Sequence, residues 1–175
     1  MIVQPYDPEW PHMFHQLQAF LYRNLVGTYH TIEHVGSTAV PGMAAKPIID
    51  VDVVMRDGKF EQIKNRLVAA GYEYQGENGV PGRESFRMRD AGLEQALAPH
   101  HLYVLAADAD ELRRHRAFRD FLIDNPDWVE KLSAHKLDIA SKLADDRAAR
   151  DAYQETKALM VEEILALALE RAATR

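Results

Sequence analysis

The chain has 175 residues, of which 47% are hydrophobic and 27% charged, and it contains no cysteine. This length and composition are typical of a soluble globular protein, so we expect residues 1–175 to form one domain, and they argue against a disordered or collagen-like chain. The lack of cysteine excludes disulfides, a thiolate metal site and a cysteine nucleophile. A formal net charge of −6 argues against extensive nucleic-acid binding, because most of the surface would repel a phosphate backbone.

Two sequence features bear on location. The first ten residues lack the basic and apolar regions of a signal peptide. The most apolar stretch, Leu159 to Leu169, is interrupted by Glu162 and Glu163, so no run is long enough to span a bilayer. We therefore expect a cytoplasmic protein that does not enter a membrane.

In the first half of the chain, predicted helices and strands alternate. Asp7 and Pro8 have the residue types of a helix start, and Gly27 of a helix end. Apolar runs and turn residues predict the following elements: a helix to about Val26, a strand over Thr28–Val35, a loop over Gly36–Pro47, a buried strand over Ile48–Met55, a helix over Lys59–Ala70 and a short strand over Tyr72–Tyr74.

The second half begins with two alternating segments and becomes helical. Arg83–Arg89 and His100–Ala106 alternate polar and apolar side chains, which predicts two further strands. Asp108 and Glu111 resemble a capping box, Asn125-Pro126 ends that helix, and Asp127 opens another. A break near 145–147 precedes a last helix, in which the predicted buried stripe is Leu159, Ile164, Leu165 and Leu169. The fold class is therefore α/β, a mixed sheet over about 1–106 with a helical C-terminal cover over about 108–172.

Two acids interrupt the buried strand. Asp50 and Asp52 point to the same face, since alternate residues of a strand do so, while Ile49, Val51 and Val53 form the opposite core face. Side chains at this spacing start roughly 7 Å apart and can reach one divalent cation or flank two. Oxygen ligands favour Mg²⁺ or Mn²⁺. The alternative is that both acids lie at a solvated strand end or pair with arginines.

The loop before this strand favours the ligand-binding interpretation. Gly36-Ser37 follows a strand, and a glycine-serine turn there offers close backbone approach together with amide and hydroxyl donors for phosphate. Lys46, Arg83 and Arg87 are candidate partners for a triphosphate. Alternatively, the two arginines pair with Asp50 and Asp52 across the sheet and bind no phosphate. His34 and His101 are better explained as hydrogen-bonded structural histidines than as ligands.

At this point the sequence resembles known families. Gly36-Ser37 followed by Asp50 and Asp52 resembles the signature of the nucleotidyltransferase superfamily, and segments 33–42 (EHVGSTAVPG) and 45–50 (AKPIID) resemble the GrpB family. The resemblance extends over nearly the whole chain through shorter matches, which are Tyr6 to Trp10, Gly82-Arg83 with Phe86, His101-Leu102, Phe118 to Asp120, Lys136, and Tyr153 with Lys157.

The resemblance implies a nucleotidyltransferase-like fold and names the residues of a site. Asp50 and Asp52 would hold Mg²⁺ or Mn²⁺, with His101 as a third catalytic residue, and Gly36, Ser37, Lys46, Arg83 and Arg87 would bind the nucleotide phosphates. The sequence departs from the family at Tyr103, where the family usually has a second histidine. It also carries His101 where active nucleotidyltransferases generally place a third acid.

Two functions follow from this site. The first is a metal-dependent nucleotidyltransferase that moves a nucleoside monophosphate from a nucleoside triphosphate to an unknown acceptor. The second is a catalytically inactive nucleotide-binding or protein-interaction domain of the same fold. Some members of the resembled family are fused to dephospho-coenzyme A kinase, which implies a link to coenzyme A biosynthesis.

Overall fold

A computed structural model describes residues 3–142 and 159–171. Its centre is a five-stranded mixed sheet with the order β1-β2-β5-β4-β3. The β2 and β5 strands are parallel, and the other neighbouring pairs are antiparallel. The strands are β1 Tyr29–Val35, β2 Ile49–Met55, β3 Tyr72–Gly76, β4 Arg83–Met88 and β5 His100–Leu105.

Helices cover both faces of this sheet. They are α1 Trp10–Asn24, α2 Phe60–Ala69, α3 Ala91–Ala96, α4 Asp110–Asp124, α5 Pro126–Lys142 and α6, residues 159–171. A single turn of 3-10 helix, Ser37–Ala39, lies between β1 and β2. No helix in the described ranges has both the length and the apolar character needed to cross a membrane. The predicted mixed α/β fold with a helical C-terminal segment is confirmed.

The main core lies on the sheet face opposite the two acids. Ile49, Val51 and Val53 of β2 are each at most 1% exposed, as the period of two in the strand predicts. Residues of α1 and α2 pack against them because each helix buries one apolar stripe. The helix residues fully buried there are Trp10, Leu17, Leu21, Ile63 and Leu67.

The face that carries the acids is covered by α4. Leu112 of this helix packs on Val54 and Leu105, and none of the three is more than 2% exposed. The segment after β1 joins α4, α5 and α6 in a separate apolar cluster, whose buried members are Val40, Met43, Leu122, Val129, Leu132 and Ile164. Helices therefore pack on both faces of β2, and Asp52 is fully buried rather than exposed on an open sheet.

Several local predictions need correction. The N-cap of α4 is Ala109 and has no side-chain cap, so Asp108 does not form a capping box. Asp7 does not cap α1, since Glu9 holds that position while the Asp7 carboxylate accepts a hydrogen bond from the Glu9 amide at 2.9 Å. The short α3 was not predicted; its N-cap, Asp90, accepts from the Leu93 amide.

The buried stripe of α6 was only partly predicted. Ile164, Leu165 and Ala168 are buried, whereas Leu159 is 72% and Leu169 37% exposed. The predicted break near 145–147, and Tyr153 and Lys157, lie outside the described residues.

Candidate functional site

The turn after β1 brings Gly36 against a carboxylate. Gly36 has a φ of +72°, a conformation that residues with a Cβ atom rarely adopt. A Cβ atom at this position would lie 2.3 Å from Oδ2 of Asp50. Glycine is therefore required by both backbone and space, and its backbone closely approaches the carboxylate of Asp50.

Asp50 also contacts a histidine on the neighbouring parallel strand. Asp50 of β2 is in register with His101 of β5, and His101 Nδ1 donates to Asp50 Oδ1 at 2.8 Å. This hydrogen bond raises the pKa of His101 above its usual value. The side chains of Asp50 and His101 are 29% and 53% exposed, so the pair remains accessible to a ligand.

Asp52 is enclosed and has a different partner. Its side chain is fully buried, and its Oδ2 accepts a hydrogen bond from Nδ1 of His115 in α4 at 2.8 Å. Nε2 of His115 lies 3.2 Å from Oε1 of Glu111, one helical turn earlier. Burial opposes protonation of His115, but the hydrogen bonds to both acids outweigh burial and raise its pKa to about 9. Both acids therefore stabilise the imidazolium form of His115, which compensates the buried charge of Asp52.

The second oxygen of Asp52 has no protein partner. Oδ1 is buried and accepts no hydrogen bond from the described residues. Burial raises the pKa of Asp52 against the lowering effect of His115. Because a buried unpaired carboxylate oxygen costs free energy, this atom is a place where a cation would be stabilised.

These contacts decide between the alternatives for the two acids. The partners of Asp50 and Asp52 are histidines, not arginines, and Asp52 does not lie at a solvated strand end. Arg83 instead pairs with Glu111 at 3.4 Å and lies 4.8 Å from the centre of the Tyr103 ring. His34 is a structural residue, because it stacks on Phe14 and hydrogen bonds to the Thr38 hydroxyl at 3.0 Å.

A lysine of α5 completes the turn after Gly36. Nζ of Lys136 donates to the Ser37 hydroxyl at 2.7 Å and to the Ala44 carbonyl at 3.1 Å, although Lys136 is only 3% exposed. Ser37, Lys46, Asp50, His101 and Lys136 line a cavity of about 150 Å³. Four of the predicted site residues therefore line one cavity, namely Ser37, Lys46, Asp50 and His101. Lys136 lines the same cavity but was not among the predicted site residues.

The predicted arginines lie at a second opening. Arg83 and Arg87 line a groove of about 580 Å³ together with His101 and Tyr103. His101 and Ile48 border both the groove and the smaller cavity. Asp52 lines neither opening, because its side chain is buried beneath α4. Gly36 lines a third depression, which also includes His115.

An ion-pair cluster fixes α4 over the sheet. Glu33, in register with Asp52, accepts hydrogen bonds from Arg116 and, at 3.2 Å, from Arg119. Burial would raise the pKa of Glu33, but these two guanidiniums lower it. Arg119 also donates to the carbonyl of His34 at 3.1 Å, so α4 is tied to the strand end that leads into Gly36.

Sequence reasoning missed the contribution of α4. Glu111, His115 and Arg119 recur every four residues on one face of the helix, and all three contact the sheet. This spacing is visible in the sequence, but charged residues at such a spacing more often form a solvated helix face. Lys136 matched the resembled family, but nothing in its local pattern predicted a contact with Ser37.

Asp50 and Asp52 supply carboxylate oxygens, the type of ligand that Mg²⁺ binds. The described residues contain no group of three His, Cys, Asp or Glu side chains arranged to hold a metal. Mg²⁺ is commonly bound by one or two carboxylates, with water and substrate phosphates as the other ligands. Asp50 lines the cavity beside Ser37, and Asp52 presents the unpaired Oδ1 without lining that cavity.

Comparison with known proteins agrees with the sequence resemblance. The chain is 38% identical over 180 residues to UPF0157 protein PA4798 of Pseudomonas aeruginosa, covering 99% of this chain and 69% of that protein. It is 30% identical over 141 residues to UPF0157 protein YqkA of Bacillus subtilis, covering 80% of this chain but 40% of that protein. The chain therefore spans less than half the length of that relative.

Solved structures give the same relationship. The crystal structure of conserved protein GrpB from Enterococcus faecalis matches with a TM-score of 0.81 and 32% identity, over 98% of this chain and 99% of that one. A weaker likeness, with a TM-score of 0.42 and 13% identity over 73% of this chain, is to Cid1 in complex with its short product ApU, and a likeness of that size carries no information about activity.

Two further comparisons concern family membership. A dephospho-CoA kinase of Mycolicibacterium paratuberculosis is 37% identical over 75 residues, which cover 39% of this chain and 18% of that protein. The family model described as GrpB protein matches residues 1–167, nearly the whole chain. The chain therefore belongs to the GrpB family.

Proposed function

We propose that this chain binds a nucleoside triphosphate together with Mg²⁺ or Mn²⁺ and transfers the nucleoside monophosphate to an acceptor hydroxyl. In that reaction the acceptor oxygen attacks the α-phosphorus, the bond between the α-phosphorus and the bridging oxygen breaks, and pyrophosphate leaves. The acceptor proton passes to a base or to solvent. The cation, when bound, neutralises charge on the phosphates and activates the acceptor oxygen.

One observation carries the proposal. The turn at Gly36, in a backbone conformation that favours glycine, lies against Asp50, and the buried Oδ1 of Asp52 has no hydrogen-bond partner among the described residues. A structural ion pair would leave neither an unpaired oxygen nor a need for such close backbone approach. Both features are expected where a cation and a phosphate meet the chain.

The cavity beside Asp50 supplies groups for the phosphates. Ser37 offers a hydroxyl at the start of a helical turn, and Lys46 and Lys136 bring two ammonium groups to the same cavity. Lys136 already orients the Ser37 hydroxyl at 2.7 Å. These donors suit the β and γ phosphates, whose charge increases as pyrophosphate departs.

A second candidate is a nucleotide-binding or interaction domain without catalysis. It is favoured by the histidine partners, since His115 compensates Asp52 without a metal and His101 occupies the place of a third acid. The local match to a dephospho-CoA kinase is compatible with a role of this domain beside coenzyme A biosynthesis.

The substitution Asp50→Asn tests the proposal. We expect it to lower metal-dependent pyrophosphate release at least about a hundredfold, because it removes one of two anionic ligands. Stability without metal should change by less than about 1 kcal/mol, because Asp50 and His101 form a partly exposed pair. Release is measured with each of the four nucleoside triphosphates, Mg²⁺ or Mn²⁺, and heat-treated cell extract as the acceptor source.

The matched control is Asp57→Asn, which makes the same chemical change at an exposed position just after β2. It should leave release unchanged. Thermal stabilisation by nucleotide and metal without any release would support the second candidate. Absence of both stabilisation and release with every nucleotide and metal would contradict the proposed site altogether.

A further inference from the structure

The larger groove arises because β4 and β5 separate. Their antiparallel ladder runs from Arg83 opposite Leu105 to Phe86 opposite Leu102 and ends there. Beyond that point β4 stays paired with β3, as in the pair Arg87 and Glu73, while β5 stays paired with β2. The groove of about 580 Å³ is lined by residues of both strands, from the paired segment and from beyond its end.

Two hydrogen-bond donors of residues at this groove have no partner in the described part of the chain. The hydroxyl of Ser85 is unpaired although the residue is only 5% exposed, and Nε of Arg83 is likewise buried and unpaired. Both residues line the groove. Because an unpaired buried donor costs free energy, two of them at one opening point to a ligand that accepts hydrogen bonds.

Arg83 is held in place for such a ligand. Its Nη1 contacts Glu111 at 3.4 Å, and its guanidinium carbon lies 4.8 Å from the centre of the Tyr103 ring. These contacts orient the guanidinium. Nε and one terminal nitrogen then form the pair of parallel donors that can bind an oxyanion.

The charge around Arg83 also favours an anion. Glu111 is shared by two arginines, Arg83 at 3.4 Å and Arg114 at 3.5 Å, so its single negative charge does not balance both guanidiniums. The residues that line the groove include two arginines and one acid, Glu94. Phe86, Met88 and Leu102 also contribute to the lining.

We propose that the groove between β4 and β5 is a second ligand site that binds a small molecule carrying a carboxylate or phosphate on an apolar frame. Arg83 Nε and the Ser85 hydroxyl donate to the oxyanion, and the apolar lining contacts the frame. The groove shares His101 with the cavity at Ser37 and Lys136, so its ligand lies beside Asp50. The site is the acceptor subsite, a role that depends on the proposed function, whereas anion binding does not.

The test follows the Arg83 Nε–H signal by NMR while phenyl phosphate or benzoate is added to the metal-free chain, with benzyl alcohol as the neutral comparison. Arg83→Lys assigns the signal. We expect saturable shifts with at least one of the two anions and none with the alcohol. Comparison of the anions shows whether the site prefers phosphate or carboxylate.

Ser85→Ala separates binding from structure. It should weaken anion binding about tenfold, the effect of one lost hydrogen bond to a charged group. The melting temperature of the free protein should stay the same or rise, because the variant removes an unpaired buried hydroxyl. Ser141→Ala, at an exposed position of α5, is the control and should change neither quantity.

Two results would overturn this inference. One is unchanged affinity in Ser85→Ala, and the other is anion-induced shifts at Ser37 and Lys46 with the Arg83 signal unaffected. The second result leaves the nucleotidyltransferase proposal standing. Conversely, anion binding at Arg83 without any pyrophosphate release would support the groove as a ligand site and count against catalysis.

Discussion

Gly36 is the residue at which backbone geometry and site chemistry meet. Its positive φ lets the chain turn between β1 and Ser37, and its missing side chain leaves room for the Asp50 carboxylate. Gly58, in the turn after β2, has a similar φ of +67° but no atom within 4 Å of the position a Cβ would take. Comparison of Gly36 with Gly58 therefore separates the cost of the backbone conformation from the cost of the contact with Asp50.

We expect Gly36→Ala to destabilise the protein more than Gly58→Ala. Both substitutions place alanine in the left-handed region, which costs about 1–2 kcal/mol. Gly36→Ala also places a Cβ atom 2.3 Å from Asp50 Oδ2. We expect this overpacking to cost a further 1–3 kcal/mol, roughly the usual range for extra atoms in a packed site. Urea unfolding of the two variants measures the difference, and equal losses would show that the Asp50 carboxylate moves aside at little cost.

At the scale of elements, a half-buried histidine of β1, His34, packs against α1. His34 stacks on Phe14 with ring centres 4.8 Å apart and hydrogen bonds to Thr38. Burial lowers the pKa of His34 from 6.5 to about 4. The unfolded chain therefore binds a proton at this residue between these two pH values, and the folded chain does not.

The sign of the resulting pH dependence follows directly. Stability from neutral His34 is fully present above pH 6.5 and is lost as the pH falls through about 4, by on the order of 3 kcal/mol. His34→Gln should remove that part of the acid sensitivity, while His30→Gln, at an exposed position of the same strand, should not. Unfolding free energies from pH 7 to 4 test this, and identical slopes for wild type and His34→Gln would contradict it.

The helices and strands were largely predictable from the sequence, but the way in which α4 packs on the sheet was not. All five strands and the helix α4 were predicted, because alternating or nearly continuous apolar runs mark the strands and turn residues mark the ends of the elements. The partners of Asp50 and Asp52 were not, since His115 is 63 residues from Asp52 in the sequence and only the packing of α4 on the sheet brings them together. Local patterns identify the acids of the site but not the residues that balance them.

Over the whole molecule, the site depends on apolar packing from the end of the chain. Ile164 of α6 is fully buried in the cluster with Val40 and Met43, which follow Ser37, and with Leu132 of α5. The same helix α5 carries Lys136. The C-terminal helix therefore supports the segment that positions Ser37.

We expect Ile164→Ala to destabilise the protein by about 2–5 kcal/mol, the cost of a cavity in a packed core. Leu159→Ala, in the same helix but 72% exposed, should change stability by less than about 0.5 kcal/mol. Denaturant unfolding distinguishes them. Similarly small effects would mean that α6 does not pack on this cluster in solution.

The position of β5 has a consequence for how the sheet assembles. The pairs β1-β2 and β3-β4 are antiparallel and each joins strands that follow one another in the chain, whereas β5, the last of the described strands, pairs with both β2 and β4. A nascent chain that ends before His100 has two strand pairs with nothing between them, so two unpaired edges stay exposed. Insertion of β5 closes both edges at once and aligns His101 with Asp50, so the sheet and the candidate site are completed by the same late, long-range event.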